Sequence, residues 1–255
     1  MKIAVLLKDV PDLVEELELD DSGLLAYDDL GYVPNEFDDH ALEEALLLKE
    51  GSGTRVTVVA IDTGDVDGML FTALAKGADR AVKLTGNFSR GLSSQARARI
   101  FASFLEGQGF DLVLTGVQAI DDFDGQLPGL VAGRLGTAHA AAVNSVGFTA
   151  VGGVEFRQEY AGGAMAEFEA KPPVVLGVQA ARTPPRYVSV SKVRQVTKTL
   201  AIEDVPVAVP PAERQTLRRL HRPEAVGRAQ MLDGDAVGVA RQIIALLAER
   251  KLVRS

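Results

Sequence analysis

The stretch Asp111–Gln126, DLVLTGVQAIDDFDGQ, decides how the rest of the chain is read. Its first half, Asp111 to Thr115, is a short apolar run of the kind carried by a strand buried on both faces. Its second half is small, polar and acidic, and a helix is expected to open at Gly125. A strand that hands over to a helix through such residues marks the carboxyl end of an open α/β sheet. Unpaired backbone N–H groups border a crevice there, and that crevice is where such sheets hold ligands.

Working outward, Lys2–Leu7 (KIAVLL), Arg55–Ile61 (RVTVVAI) and Arg80–Leu84 (RAVKL) are strands of the same buried type. Helices are expected over Asp39–Lys49, Asp67–Lys76 and Ser93–Glu106. Asp38 or Asp39 is placed to cap the first, Gly51 and Gly53 stop it, and Gly77 ends the second. Pro128 falls in the first turn of a helix over Gly125–Leu135, where a missing N–H costs little. Four alternations of strand and helix with short links predict a parallel sheet with right-handed crossovers. Leu13 to Pro34 is acidic and irregular, and reads as an excursion, a small hairpin, beside that sheet.

Beyond Ala140 the pattern changes. Val143–Glu159 and Met165–Lys171 alternate, with Gly152-Gly153 and Gly162-Gly163 as turn signals, which predicts antiparallel strands. Val174–Val178 is another buried strand. From Ala181 the core-forming pattern is lost, and Arg182, Arg186, Lys192, Arg194 and Lys198 make a basic stretch in an acidic chain. Pro206, Pro210, Pro211 and Pro223 mark an extended arm. It closes with an amphipathic helix, about Asp235–Arg250, whose Val239, Ile243, Ile244 and Leu247 share one stripe. The expected division is an α/β nucleotide-binding domain over residues 1–200 and an arm over 201–255. The arm's helix has no core of its own and packs on a partner chain or back on the sheet.

Composition narrows the function. A net charge of −8 over 255 residues argues against nucleic acid as a partner, because phosphate backbones need a basic surface. Cysteine is absent, which removes thiol catalysis and cysteine-held metals and points to a reducing, cytoplasmic setting. No apolar run approaches the length that spans a bilayer, so direct membrane insertion is not expected.

His40, His139 and His221 are scattered without metal-ligand spacing. No Gly-x-Ser-x-Gly elbow and no phosphate-binding Gly-x-x-x-x-Gly-Lys occurs, and no catalytic residue is expected. Asp121, Asp122 and Asp124 raise magnesium or calcium as an option, but aspartates are common as caps and turn formers, and that reading weighs more. The turns after three strands, at Leu6-Leu7-Lys8, Asp62-Thr63-Gly64 and Gly116-Val117-Gln118, converge on one crevice. Small residues and a helix N-terminus there suit a nucleotide, with Gln126 as a side-chain donor.

Five segments together carry a resemblance: KIAVLLKDVPD (Lys2–Asp12), NEFDDHALEEALLLKE (Asn35–Glu50), ALAKGADRA (Ala73–Ala81), DLVLTGVQAIDDFDGQ (Asp111–Gln126) and PPRY (Pro184–Tyr187). In their order and spacing they resemble the β subunit of electron transfer flavoproteins, from Met1 to about Lys198. The resemblance implies a Rossmann-like, adenine nucleotide α-hydrolase-like three-layer α/β fold. It implies a heterodimer with an electron transfer flavoprotein α subunit, which holds most of the FAD. The pair carries electrons from flavin-dependent dehydrogenases to an acceptor such as a membrane quinone oxidoreductase. The β subunit binds a structural AMP, or a second FAD in electron-bifurcating members.

The family's nucleotide contacts fall on Leu6, on Asn35, Glu36, Phe37 and Asp38, and on Thr63. They continue through Gly116, Val117, Gln118, Ala119, Ile120, Asp121, Asp122, Phe123, Asp124, Gly125, Gln126 and Leu127. Leu13 and Phe37 fall at the lip lent to the α-held flavin. Val190 falls at the apolar anchor that docks on dehydrogenases, with Lys192 and Arg194 beside it. The chain departs from the family where Leu127-Pro128 follows Gln126 in place of Thr-Gly, and where Val117 replaces a lysine. Both changes remove groups that would hold phosphate. A nucleotide-binding regulatory protein of the universal-stress type shares the layout and stands as the alternative.

Overall fold

The structure is a computed structural model; it describes all residues except 15, 28–29, 89, 123, 209–217, 223–226, 228, 230 and 254–255. The chain groups into two units, Met1–Arg219 and Leu220–Ser255.

In the first unit the apolar runs become strands because each supplies apolar side chains to two buried faces at once. Lys2–Leu7 (β1), Arg55–Ile61 (β4) and Leu112–Gly116 (β6) are buried at every position but the first of β1 and of β4. With Arg80–Thr85 (β5), Ala138–Phe148 (β7), Val154–Glu159 (β8), Met165–Ala170 (β9), Val174–Val178 (β10) and Glu203–Pro206 (β11) they form one nine-stranded sheet. Its order is β11-β5-β4-β1-β6-β10-β7-β8-β9. Every pairing from β11 to β7 is parallel, whereas β7–β8 and β8–β9 are antiparallel.

Helices Glu36–Ser52 (α1) and Asp67–Lys76 (α2) cover one face, with Leu42, Leu46, Leu70 and Leu74 in the core against β1 and β4. Ser94–Leu105 (α3) and Leu127–Leu135 (α4) cover the other through Ile100, Phe101, Phe104 and Val131. The predicted three-layer α/β architecture, with a small antiparallel section, is therefore the observed one.

Local chemistry sets the helix ends. Ser93 accepts a hydrogen bond from the N–H of Ala96 and caps α3. Gly53, at φ 68°, closes α1 in the left-handed region with its N–H on Lys49 O, a conformation a side chain would strain. The predicted caps of α1 are corrected: it opens at Glu36 after Asn35, and neither Asp38 nor Asp39 caps it. The excursion is clasped at its base by Asp9–Pro11 (β2) pairing antiparallel with Tyr32–Pro34 (β3).

The reading that the core pattern ends at Ala181 is also corrected. Val190–Thr199 forms a helix (α5) whose Val196 packs on the core of the α1 and α2 face. Next, β11 extends the sheet beyond residue 200, and Val205 and Val207 join the opposite core.

In the second unit the described element is Ala236–Glu249 (α6), capped by Asp235, whose side chain accepts from the N–H of Gly238 at 2.8 Å. No residue of α6 is buried. Pro210, Pro211 and Pro223, expected to shape the arm, lie outside the described residues.

Candidate functional site

From β1 the chain moves out to β4 and β5 on one side, then returns to β6 on the other. The loops leaving the carboxyl ends of β1 and β6 therefore part company, and an open α/β sheet has its crevice at such a switch point. The opening stretch of the sequence supplies one wall of that crevice, and the start of α1 supplies another.

Asp38 ties the walls together. One carboxylate oxygen accepts from the N–H of Lys8 at 2.9 Å, and the other from the N–H of Gly116 at 2.8 Å. The side chain of Asn35 donates to Gln118 O at 3.0 Å, and its backbone N–H donates to Lys8 O. Gly116 is glycine for packing: a Cβ there would lie 2.6 Å from Asp38 Oδ1 and 2.7 Å from Phe37 Cβ. Asp38 is 5% exposed, and burial pushes its carboxyl up to about 7. The Gly116 N–H, the Asn35 side chain and the Lys8 charge pull the other way without cancelling that desolvation.

The acidic cluster has partners of its own. The Lys8 ammonium is buried between Asp121 and Asp122, and Asp122 also accepts from the N–H of Ala119. Asp124 accepts from the Ser94 hydroxyl at 2.7 Å and from the N–H of Gln126 at 3.3 Å. Asp121 and Asp122 thus hold a lysine, and only Asp124 stands near a helix start. Among the described residues no group of three His, Cys, Asp or Glu is placed to hold a metal ion.

The other predicted nucleotide residues divide by exposure. Leu6 is buried with its side chain in the α3 and α4 core, so only its backbone borders the site. Thr63 is buried, its N–H on Ile61 O, and Ala119 is buried. Glu36, Gln118, Ile120 and Gln126 are exposed, whereas Phe37, Val117, Gly125 and Leu127 are half-buried. Phe123 lies outside the described residues. Helix α4 begins at Leu127, two residues later than expected, with Pro128 in its first turn and no acidic residue there. Gly177 makes room for that turn, since a Cβ would stand 2.8 Å from Pro128 Cγ.

These residues fit an adenine nucleotide in part. Gln118 and Gln126 offer amide groups, Ile120 an apolar surface, and the start of α4 its unpaired N–H groups. The phosphate end is poorer: Lys8 is engaged by two carboxylates, Val117 brings no charge and Pro128 no N–H.

Two surfaces lie outside the crevice. Leu13 is 62% exposed, beside the still more exposed Val14, on the excursion. Val190 is 63% exposed at the start of α5, with Lys192 and Arg194 also exposed. Arg182 and Arg186, read with them as one basic stretch, instead pair with Glu44 and with Glu43 and Glu50 of α1. A separate cavity of about 410 Å³ on β7–β9 involves none of the predicted site residues.

Sequence reasoning missed Ser94 as the partner of Asp124, and Lys8 as the partner of Asp121 and Asp122. Each stands at a carboxyl-end turn or a helix start, and that position was the available signal. It also missed Arg90, which stacks on the Tyr32 ring at 3.4 Å and pairs with Asp9.

The comparisons with known proteins agree with this architecture. A family model described as the electron transfer flavoprotein domain matches residues 23–210. The electron transfer flavoprotein subunit beta of Methylophilus methylotrophus is 34% identical over 264 aligned positions, covering 98% of this chain and 99% of the relative. That of Clostridium acetobutylicum is 34% identical over 196 positions, 76% of this chain and 74% of the relative. Subunit CarD of the caffeyl-CoA reductase–Etf complex of Acetobacterium woodii is 29% identical and covers 99% of this chain and 100% of the relative. With a family model over most of its length and a β subunit matching it nearly end to end, the chain belongs to the electron transfer flavoprotein β-subunit family.

Proposed function

We propose that the chain is the β half of a heterodimer that carries electrons from flavin-dependent dehydrogenases to a quinone-linked or other acceptor. It has no substrate chemistry of its own. The FAD is held mainly by the α subunit, with Leu13 and Phe37 at its lip, and the switch-point crevice of β holds AMP. The observation that carries this reading is the switch point between β1 and β6, where Asn35 and Asp38 hydrogen-bond the diverging loop ends at Lys8, Gly116 and Gln118. The exposed Val190, with Lys192 and Arg194, supplies an apolar anchor ringed by charge, as a transient docking surface needs.

A second reading is favoured by one observation, the nearly end-to-end similarity to a subunit of a reductase–Etf complex. In that reading a second FAD takes the crevice in place of AMP.

Co-expression with an α-type partner, followed by release and identification of bound nucleotides, tests both. One FAD and one AMP per heterodimer are expected; two FAD would select the second reading. A colourless chain that forms a homodimer and takes up no electrons would instead favour a nucleotide-binding regulatory protein.

A further inference from the structure

The resemblance places Asn35–Asp38 among residues that touch the nucleotide. For the Asp38 side chain the geometry points to a different role: we infer that Asp38 is a positioning residue, which sets the nucleotide loop by holding the ends of β1 and β6 at fixed separation and never meets the ligand. This inference rests on the nucleotide-bound reading proposed above.

Both carboxylate oxygens are engaged by backbone, one by the N–H of Lys8 and one by the N–H of Gly116. Those two residues stand where β1 and β6 end and their loops diverge. The carboxylate is 5% exposed, and Gly116 has no Cβ to intervene. A second tie, Asn35 to Gln118 O, runs parallel to the first and fixes the next part of the same loop. One turn of α1 therefore dictates where Gly116, Val117 and Gln118 lie before any ligand arrives. Preorganisation of this kind raises affinity by lowering the ordering cost of binding.

The carboxylate form suits the role, since it accepts two N–H donors, whereas a protonated carboxyl gives up much of one acceptor. The charged groups facing Asp38 are Lys8 from the turn after β1 and Asp122 from the β6 loop. On the α2 side, Asp39 and its partner Lys76 line the same cavity of about 60 Å³ as Asp38. The high carboxyl value, about 7, places the change of form within an accessible pH range.

The test uses the purified heterodimer, freed of nucleotide, with AMP and adenosine as probes between pH 6 and 8.5. Adenosine carries no phosphate to titrate over that range. Asp38→Asn keeps the shape but replaces one acceptor with a donor that faces an N–H. It is expected to weaken both probes by roughly tenfold, the factor that corresponds to about one displaced hydrogen bond. The wild-type affinity for adenosine is expected to rise as pH passes through 7, and D38N is expected to show no such rise. A folded D38N that binds both probes within twofold of wild type overturns the inference and leaves the nucleotide reading standing. If D38N does not fold, Asp38→Ser, which offers one oxygen where the carboxylate offers two, decides, and adenosine affinity within twofold of wild type overturns it. Wild type that binds neither probe sinks the nucleotide reading and the inference together.

Discussion

Glu43 and Glu44 stand side by side on α1, yet they face different neighbours and do different work. Glu44 is fully buried; it accepts from the N–H of Val146 and of Arg182, and pairs with the Arg182 guanidinium at 3.1 Å. Glu43 takes the Arg186 guanidinium through both oxygens and also accepts the N–H of Arg186 at 3.0 Å. Burial alone would raise the Glu43 carboxyl, but the hydrogen bonds and charge of Arg186 outweigh it and hold the group below its usual range. These pairs fasten the segment after β10 onto α1. Replacing Glu43 with glutamine leaves the Arg186 guanidinium facing a neutral amide. A loss of about 1.5–3 kcal/mol at pH 7 is expected, the range for a hydrogen bond to a charged group. A depressed carboxyl contributes stability that is present above its unfolded value and is lost as pH falls through its folded one. Urea unfolding at pH 7 and again near pH 3 should therefore show wild type losing more stability in acid than E43Q. Equal losses would mean that the Glu43 charge carries none of the fastening.

Among the elements, α5 shows how a helix can be hidden in a basic stretch. Val193 and Val196 are half-buried and α5 packs beside α2, while Val190, Lys192, Arg194 and Lys198 remain outside. One turn of valines against many charges gives a narrow stripe, and that stripe is easily read as irregular chain. Because Val190 touches little of the fold, Val190→Asp is expected to leave the thermal unfolding temperature within a degree or two of wild type, as surface substitutions do. Reduction of the heterodimer by its dehydrogenase should then fall about tenfold or more, the cost of losing an anchor residue. Unchanged electron uptake would remove the docking role from α5. The strands β1, β4, β6 and β10 were legible because each is a continuous apolar run buried on two faces. The antiparallel strands were legible from alternation and paired glycines. What escaped depended on long-range partners. Asp38 has the sequence look of a cap, but its oxygens are taken by residues 30 and 78 positions away. Glu203–Pro206 looks like arm, yet β5 pairs with it and Arg80 meets Glu203. The site was legible as a loop; the lysine between its aspartates was not, because the partners lie 113 and 114 residues apart.

At the scale of the whole molecule, the first unit has two cores, one on each face of its sheet, whereas α6 has none. Val237, Ile243 and Ile244 are 58%, 43% and 61% exposed on a helix that is otherwise well capped. Exposed apolar side chains grouped on one element mark a surface that meets another molecule more often than a free one. In the heterodimer proposed above, the α subunit is the partner of that surface. The two possibilities separate in one pair of measurements on the full chain carrying Ile243→Asp. If α6 stabilised the chain by itself, the substitution would lower the unfolding temperature of the isolated β subunit. If its stripe is covered by α, the isolated chain should unfold as wild type does. The heterodimer dissociation constant should then rise about tenfold or more, because a charge replaces an apolar side chain at a desolvated contact. An unchanged dissociation constant, with the isolated chain also unchanged, would take α6 out of the subunit interface. The contact between subunits would then have to be sought on the sheet-bearing unit, Met1–Arg219.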